Sequence, residues 1–238
     1  MIQYVKDVSQ AAGALFVAQA EASVAANGRF TVVLSGGSTP MKMYAQLAAE
    51  YADAPFWRHT HVFWGDERFV PHDHPDSNYG AAKEALLDRV ALPPENVHPW
   101  PYVEGDPETA AMELGDTLQT FLSTAPFDLT FLGLGDDAHT ASLFPGTGAV
   151  FDEGTTTVVK PPGKETRLSM TANTLSRSRT VAFLVQGEGK KAALERTLSP
   201  DPLPNYDSTP ARAIRAQNEV LWLTDVELTL PEAAKETD

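Results

Sequence analysis

The sequence predicts an α/β fold, in which a doubly wound, mostly parallel β-sheet carries helices on both faces. Two observations lead to this prediction. Short runs of β-branched and aromatic residues alternate along the chain with stretches of helical length and periodicity. Glycine-rich turns stand between several of these strands and the helices that follow them. The sequence contains no internal repeat or low-complexity tract, so residues 1–238 are expected to form a single domain.

The first half of the chain is expected to open with an alanine-rich helix over residues 8–26, which Asn27-Gly28 ends. Phe30–Leu34 is rich in β-branched residues and indicates a buried strand. Residues 69–77, rich in proline, histidine and aspartate, are expected to form a long loop. The other predicted elements are a helix with Thr39 as N-cap, Pro40 as first residue and an end near Tyr51, a strand at 61–64, a helix at 78–90, a short strand at Val97–His98 and a helix at Pro107–Leu122.

The second half repeats this alternation. Strands are expected at residues 127–132, Thr156–Val159, 168–171, 180–185 and 219–223, with a short helix near Thr174 and a longer helix at 188–198. Residues 199–210, rich in proline and aspartate, are expected to form a surface loop. Strands separated by helices form a Rossmann-like sheet. The loops that leave the carboxyl ends of such strands form the ligand crevice.

The composition narrows the cellular setting. Hydrophobic residues make up 42% of the sequence, as in a globular protein, and no apolar run approaches the roughly 20 residues that span a bilayer. The first residues lack the basic-then-apolar pattern of a secretion signal. The absence of cysteine excludes disulfides and thiolate zinc sites and fits a reducing cytoplasm. A cytoplasmic protein without a membrane partner is expected, and a monomer, because no heptad pattern or apolar stripe is evident.

The net charge of −14 argues against a nucleic-acid partner, because phosphate backbones would be repelled over most of the surface. An anionic small molecule would need positive charge concentrated locally. The few arginine and lysine residues near glycine-rich turns are therefore the cations to consider.

Residues 132–146, LGLGDDAHTASLFPG, are the most informative stretch for chemistry. A predicted strand leads into Gly133 and Gly135, and Asp136, Asp137 and His139 follow. Histidine is the side chain best matched to proton transfer near neutral pH, and a neighbouring carboxylate can orient its ring. His139 is therefore predicted to be a general base.

The turn Ser35-Gly36-Gly37-Ser38 also lies between a predicted strand and a predicted helix. Glycines let backbone N–H groups approach an anion closely, and the helix N-terminus adds partial positive charge. The turn has neither the P-loop pattern nor the dinucleotide-binding pattern. An anion site at Gly36, Gly37 and Ser38 and a merely tight, capped turn are equally compatible with the sequence.

Charged residues follow other strands in the same way. Asp66 and Arg68 come after the strand at 61–64, where an arginine can bind an oxyanion in a bidentate manner. Arg167 lies at the start of a predicted strand. Lys190 lies in a strand-to-helix turn, and its neighbour Lys191 is the alternative residue that could contact a ligand there. The histidines in His72-Asp73-His74 lack a metal-ligand spacing, so a solvated loop is favoured there and no metal is expected.

Together, SGGSTP at residues 35–40, WGDERFVP at 64–71, Ser77-Asn78 and GLGDDAHTASLFPG at 133–146 resemble the motifs of the 6-phosphogluconolactonases, enzymes of the oxidative pentose phosphate pathway. The resemblance continues through Arg167 and Gly187-Glu188-Gly189-Lys190 to Trp222-Leu223, and so covers nearly the whole chain. The run HTASLFP is highly specific, whereas the glycine turn alone is not.

The resemblance implies hydrolysis of 6-phosphoglucono-1,5-lactone to 6-phosphogluconate, with no metal or cofactor. His139 would take a proton from the attacking water and return it to the departing ring oxygen. Arg68 would stabilise negative charge at the reacting carbonyl. Asp66 or Asp137 would orient the imidazole or bind sugar hydroxyls, two roles that the sequence does not separate.

The resemblance also places the sugar phosphate in the Gly36-Gly37-Ser38 turn, with Arg167 and Lys190 supplying charge. One position departs from the family pattern: Ala138 stands between the aspartate and the histidine, where glycine is usual. If that position requires a positive φ, alanine adds strain of roughly 1 kcal/mol.

Two alternative functions stay open. Glucosamine-6-phosphate deaminases have a similar glycine turn and histidine loop, but they carry a catalytic glutamate five residues after the histidine. Phe144 occupies that position and cannot relay a proton. A sugar-phosphate-binding regulator without catalysis would be expected to lack His139, which this chain retains.

Overall fold

A computed structural model describes residues 1–200 and 203–229. Seven strands form a parallel sheet in the order β1-β10-β9-β6-β2-β3-β5. They are β1 (Ile2–Tyr4), β2 (Phe30–Leu34), β3 (Thr60–Trp64), β5 (Val97–His98), β6 (Phe127–Gly133), β9 (Ser178–Val185) and β10 (Glu219–Thr224). The helices are α1 (Val8–Asn27), α2 (Ser38–Glu50), α3 (Asn78–Ala85), α4 (Pro107–Leu122), α5 (Ala172–Leu175) and α6 (Lys191–Leu198). The predicted doubly wound α/β fold is confirmed.

Helices cover both faces of the sheet. Phe16 of α1 meets Phe30 of β2 edge to face, with ring centroids 5.3 Å apart. Phe121 of α4 meets Phe63 of β3 at 5.0 Å. Phe63 is in register with Val33, which lies three residues after Phe30 in β2, and successive side chains in a strand alternate between faces. Phe30 and Phe63 therefore face opposite ways, and α1 and α4 lie on opposite sides of the sheet.

A second, antiparallel sheet in the order β4-β8-β7 was not predicted. Its strands are β4 (Asp66–Arg68), β7 (Thr156–Val159) and β8 (Arg167–Met170). Asp66-Glu67-Arg68 follows the strand predicted at 61–64 and does not itself resemble a strand, because it is three charged residues in a row. Pairing with β8, about one hundred residues later in the chain, makes them one.

The end of one predicted helix and the start of another are wrong. The helix predicted at 78–90 ends at Ala85, and a 3-10 turn follows at Leu87–Arg89, because Leu86 leaves the helical region at φ −133°. The helix predicted at 188–198 begins with a 3-10 turn, so that α6 starts at Lys191.

Thr39 was predicted as the N-cap of α2, and this is wrong, because Gly37 is the N-cap. Pro40 was predicted as the first residue of this helix and is its third. It still fits in the first turn, because N–H groups there have no intrahelical partner. Of the loop predicted at 199–210, residues 201 and 202 lie outside the described residues.

Candidate active site

A cavity of about 390 Å³ lies at the carboxyl edge of the parallel sheet, where the antiparallel sheet joins it. Eight of the nine predicted site residues line this cavity. They are the turn residues Gly36, Gly37 and Ser38, the groups Asp66 and His139, and the cations Arg68, Arg167 and Lys190. The ninth, Asp137, contacts His139 but is not among the lining residues.

His139 and Asp137 form a hydrogen-bonded pair. The Nδ1 atom of His139 lies 2.6 Å from Oδ1 of Asp137, and the same oxygen accepts the backbone N–H of His139 at 3.0 Å. Burial raises the pKa of the Asp137 carboxyl, but the two hydrogen bonds and the charge of His139 together hold it below its usual value. An ionised Asp137 fixes the proton on Nδ1, which leaves Nε2 as the basic nitrogen of the ring.

The His139 loop depends on the absence of a side chain at Gly135. A Cβ atom there would lie 2.0 Å from Nδ1 of His139 and 2.7 Å from Oδ1 of Asp137. The backbone N–H of Gly135 also donates to the carbonyl of His139 at 2.9 Å. The imidazole therefore packs directly against the backbone of the strand-to-loop turn.

Ala138 has a φ of 68°, so the position does require the left-handed conformation. Its methyl group is fully buried. Its N–H donates to the carbonyl of Gly135 at 2.9 Å, and its own carbonyl accepts from Ala211 at 3.2 Å. These contacts hold the alanine at a strain of roughly 1 kcal/mol, and the loop still closes around His139.

The glycine turn leads from β2 into α2 and presents free donors to the cavity. Gly37 has a φ of 106°, which glycine adopts readily. Tyr44 stabilises the start of the turn. Its hydroxyl donates to the carbonyl of Ser35 at 2.8 Å and accepts the N–H of the same residue at 3.1 Å. Among the described residues, no acceptor is bonded to the N–H groups of Gly36, Gly37 or Ser38. Such a turn suits an anion.

Arg68 and Arg167 face the cavity as cross-strand partners in the antiparallel pair of β4 and β8. Burial and the nearby charge of Arg68 lower the pKa of Arg167. Within the part of the chain that the structure describes, the one ion-pair partner of Arg167 is Glu165 at 3.5 Å, and its buried Nε atom has no hydrogen-bond partner. Two adjacent guanidinium groups repel each other, and an anion between them would relieve that repulsion.

Lys190 approaches from the turn after β9. Its Nζ atom lies 2.6 Å from Oδ1 of Asp136, whose side chain is 81% exposed. Lys190 rather than Lys191 lines the cavity. The exposed carboxylate therefore competes with any anion that Lys190 would bind.

Asp66 and Asp137 occupy different places. Asp66 lines the cavity, and its Oδ2 atom accepts the hydroxyl of Ser142 at 2.6 Å. Asp137 is bonded to the ring of His139. This geometry favours Asp137 for orienting the imidazole and Asp66 for binding substrate, a distinction that the sequence did not make.

Sequence reasoning gave no role to several other residues that line the cavity, namely Asn78, Ser142, Lys164 and Gln186. Asn78 and Ser142 stood within recognised motifs, but spacing alone did not show that they face the cavity. Phe144 also lines it, and its ring centroid is 4.4 Å from that of His139. An apolar ring thus lies against the imidazole.

The predicted loop at residues 69–77 holds no metal cluster. The Nε2 atom of His72 lies 2.8 Å from the carbonyl of Trp100, and the Nδ1 atom of His74 accepts from the N–H of Asp76 at 3.2 Å. Within residues 1–200 and 203–229, no three metal-ligating side chains converge. None of the helices in that same part of the chain is long and apolar enough to cross a membrane.

The chain is similar to known proteins over most of its length. The family model described as glucosamine-6-phosphate isomerases/6-phosphogluconolactonase matches residues 4–222. The 6-phosphogluconolactonase of Nostoc sp. is 40% identical over 89% of this chain and 88% of its own length. That of Synechocystis sp. is 43% identical over 85% of each chain.

A solved structure, the crystal structure of 6-phosphogluconolactonase from Thermotoga maritima, superposes with a TM-score of 0.81 at 29% identity. It covers 94% of this chain and 97% of its own. The sequence matches and the superposition extend over nearly the whole molecule, and the motif residues converge on one cavity. The chain therefore belongs to the glucosamine-6-phosphate isomerase/6-phosphogluconolactonase family.

Proposed function

We propose that this protein hydrolyses 6-phosphoglucono-1,5-lactone to 6-phosphogluconate, the lactonase reaction of the oxidative pentose phosphate pathway. The observation that carries the proposal is one cavity lined by four cationic side chains and by the imidazole of His139, which the carboxylate of Asp137 orients. Relatives at 40% and 43% identity that bear the name 6-phosphogluconolactonase support the same reaction.

The chemistry follows from the geometry around His139. Its Nδ1–H is held by Asp137, so Nε2 accepts a proton from water as that water attacks the lactone carbonyl. Negative charge develops on the carbonyl oxygen, and the guanidinium of Arg68 stabilises it. The imidazolium then returns the proton to the ring oxygen as the C–O bond breaks. The single product, 6-phosphogluconate, carries the new carboxyl group and the freed hydroxyl on one open chain, and the carboxyl group then ionises and releases a proton. Neither a metal nor a covalent intermediate is needed.

The phosphate occupies the other end of the cavity. The free N–H groups of Gly36, Gly37 and Ser38 bind its oxygens, and Arg167 and Lys190 neutralise its charge. Fixing the phosphate holds the distal carbonyl near His139 and so reduces the entropy cost of reaching the transition state. These cations form a local positive site on a chain whose net charge is −14.

The deaminase alternative is disfavoured at Phe144. Its ring lies 4.4 Å from the ring of His139, where a proton-relaying glutamate would be required. The non-catalytic alternative is disfavoured by the His139–Asp137 pair, because a pure binding protein has no need of an oriented base.

Turnover of freshly prepared 6-phosphogluconolactone, followed by release of acid and corrected for spontaneous hydrolysis, tests the proposal. We expect hydrolysis well above background and no ammonia release from glucosamine 6-phosphate. Deamination of glucosamine 6-phosphate, or turnover of neither compound, would overturn the assignment.

We further propose that the protein acts as a cytoplasmic monomer without nucleic-acid or membrane partners. The strongly acidic charge and the absence of cysteine support this proposal. Sedimentation equilibrium should give a mass near the 25.7 kDa of one chain, and a mass twice as large would contradict it.

A further inference from the structure

Asn78 is a nearly buried residue that borders the cavity and that the mechanism above does not use. It is the first residue of α3, and its backbone N–H donates to Oε1 of Glu67 at 2.7 Å. Glu67 is buried and accepts two more backbone N–H groups, from Arg68 and Tyr79, and the hydroxyl of Ser77. A carboxylate with four donors fixes the start of α3, and with it the position of Asn78.

The side chain of Asn78 has only one possible orientation. Its carboxamide approaches the backbone carbonyl of Asp66 at 2.9 Å, and only the NH₂ group can donate to a carbonyl. The oxygen Oδ1 therefore points the other way, towards Gly36. A Cβ atom on Gly36 would lie 2.0 Å from that oxygen, so the carboxamide packs directly on the glycine turn.

The carboxamide of Asn78 thus lies between the turn assigned to the phosphate, which Oδ1 faces, and the carbonyl of Asp66, to which the NH₂ group donates. Among the described residues, no donor is hydrogen-bonded to Oδ1. The oxygen keeps solvent contact at the cavity, so it becomes buried and unpaired only when a ligand displaces that solvent without supplying a donor, which is costly.

The chemistry of the substrate decides which of its groups donates a hydrogen bond to Oδ1 of Asn78. The ionised phosphate and the lactone carbonyl present only acceptors, which Oδ1 would repel. The ring hydroxyls are the donors. Resting on the proposed lactonase function, we propose that Asn78 binds substrate directly, accepting through Oδ1 a hydrogen bond from one hydroxyl of the sugar ring. Asn78 thereby selects phosphorylated lactones that carry that hydroxyl.

Substrate analogues test this without altering the protein. Three monodeoxy 6-phosphogluconolactones, each lacking one ring hydroxyl at C2, C3 or C4, are compared with the intact lactone on the wild-type enzyme. One analogue should lose about tenfold to hundredfold in kcat/KM, because an unpaired buried acceptor penalises a substrate without the donor. Equal kcat/KM for all three analogues and the intact lactone would overturn the proposal.

The Asn78→Ala variant locates the contact. It should hydrolyse the intact lactone about tenfold to hundredfold less efficiently, yet treat the discriminated analogue almost as the wild type does. Asn96→Ala, which removes a carboxamide bonded to the carbonyl of Arg58 at 3.4 Å, is the matched control and should behave as wild type throughout.

A purely structural role for Asn78 would lower kcat/KM for every analogue by the same factor, and that result would refute substrate contact. Failure of the wild-type enzyme to hydrolyse the intact lactone would instead refute the proposed function. The two failures are therefore distinguishable.

Discussion

The hydrogen bond between His139 and Asp137 indicates that His139 is the general base, and a substitution can test this. His139→Ala removes the base, so kcat should fall by roughly a hundredfold or more while KM changes little. Steady-state kinetics corrected for spontaneous hydrolysis measure both constants. Asp137→Asn keeps a hydrogen-bonding group beside the ring but no longer fixes the proton on Nδ1, so kcat should also fall, by less than in His139→Ala. An unchanged kcat in His139→Ala would show that another group is the base.

Gly135 offers a steric test of the same pair. In Gly135→Ala the new methyl group would lie 2.0 Å from Nδ1 of His139, so the ring must move and kcat should fall at least tenfold. The matched control is Gly189→Ala, because a Cβ atom on Gly189 meets no atom within 4 Å. Circular dichroism should show that both variants fold. Wild-type kcat in Gly135→Ala would mean that the imidazole need not occupy this position.

Removal of the ion pair between Lys190 and Asp136 should strengthen substrate binding rather than weaken it. Asp136→Asn frees Lys190 from its carboxylate partner and removes a negative charge near the phosphate, so KM should fall by a factor of about two to five. The effect should shrink in high salt, because exposed charges are screened. Glu188→Gln removes an exposed negative charge two residues from Lys190 and is the control. A raised KM in Asp136→Asn would indicate that Asp136 itself positions the substrate.

At the scale of the elements, the edge strand β5 makes the molecule sensitive to acid. The Nδ1 atom of His61 lies 3.2 Å from Nε2 of His98, and the ring of His98 stacks on Phe63 at 4.4 Å. Burial, and then the charge of His61, lower the pKa of His98 from 6.5 to about 4. Between these values the folded state binds fewer protons than the unfolded state, so stability falls as the pH falls from 6.5 towards 4.

His98→Phe keeps an aromatic ring beside Phe63 and removes this titration. The decline in the free energy of unfolding between pH 7 and pH 4 should become smaller by about 1–2 kcal/mol, allowing for solvent screening of a half-buried group. Urea denaturation at a series of pH values measures it. His59→Gln, at an exposed histidine, should keep the wild-type decline, and the same decline in His98→Phe would remove His98 as its source.

Some elements could be predicted from the sequence and others could not, for a physical reason. The strands of the main sheet were recognisable because they are buried on both faces and read as apolar runs, as in β2 and β6. Strand β4 was not, because Asp66-Glu67-Arg68 is a strand only through pairing with β8 and through the four donors around Glu67. Interactions between residues far apart in sequence leave no local pattern.

The candidate site was predictable as a set of residues, because the carboxyl ends of parallel strands meet at one edge of a sheet. Its internal pairing was not. The contacts of Lys190 with Asp136 and of Asp66 with Ser142 join segments 54 and 76 residues apart. The position of Oδ1 of Asn78, to which no described residue donates, depends on three segments that meet only in the folded structure. They are the Gly36 turn, the strand of Asp66 and the start of α3.

At the scale of the whole molecule, both sheets contribute walls to one cavity, since Arg68 and Arg167 come from the antiparallel sheet and Gly36 and His139 from loops of the parallel one. We therefore expect residues 1–238 to unfold as a single domain in one calorimetric transition. The product 6-phosphogluconate, at one hundred times its Kd, should stabilise the whole domain by about 2.7 kcal/mol. For a chain of this size that raises the Tm by roughly 5–10 °C.

Arg167→Ala should unfold in one transition as well, but the same concentration of 6-phosphogluconate should shift its Tm much less, because the phosphate loses a cation. Gluconate, which lacks the phosphate, should give a comparably small shift with the wild-type protein. Two separate transitions, only one of which responds to 6-phosphogluconate, would mean that the antiparallel sheet folds independently. The cavity would then lie between two domains rather than within one.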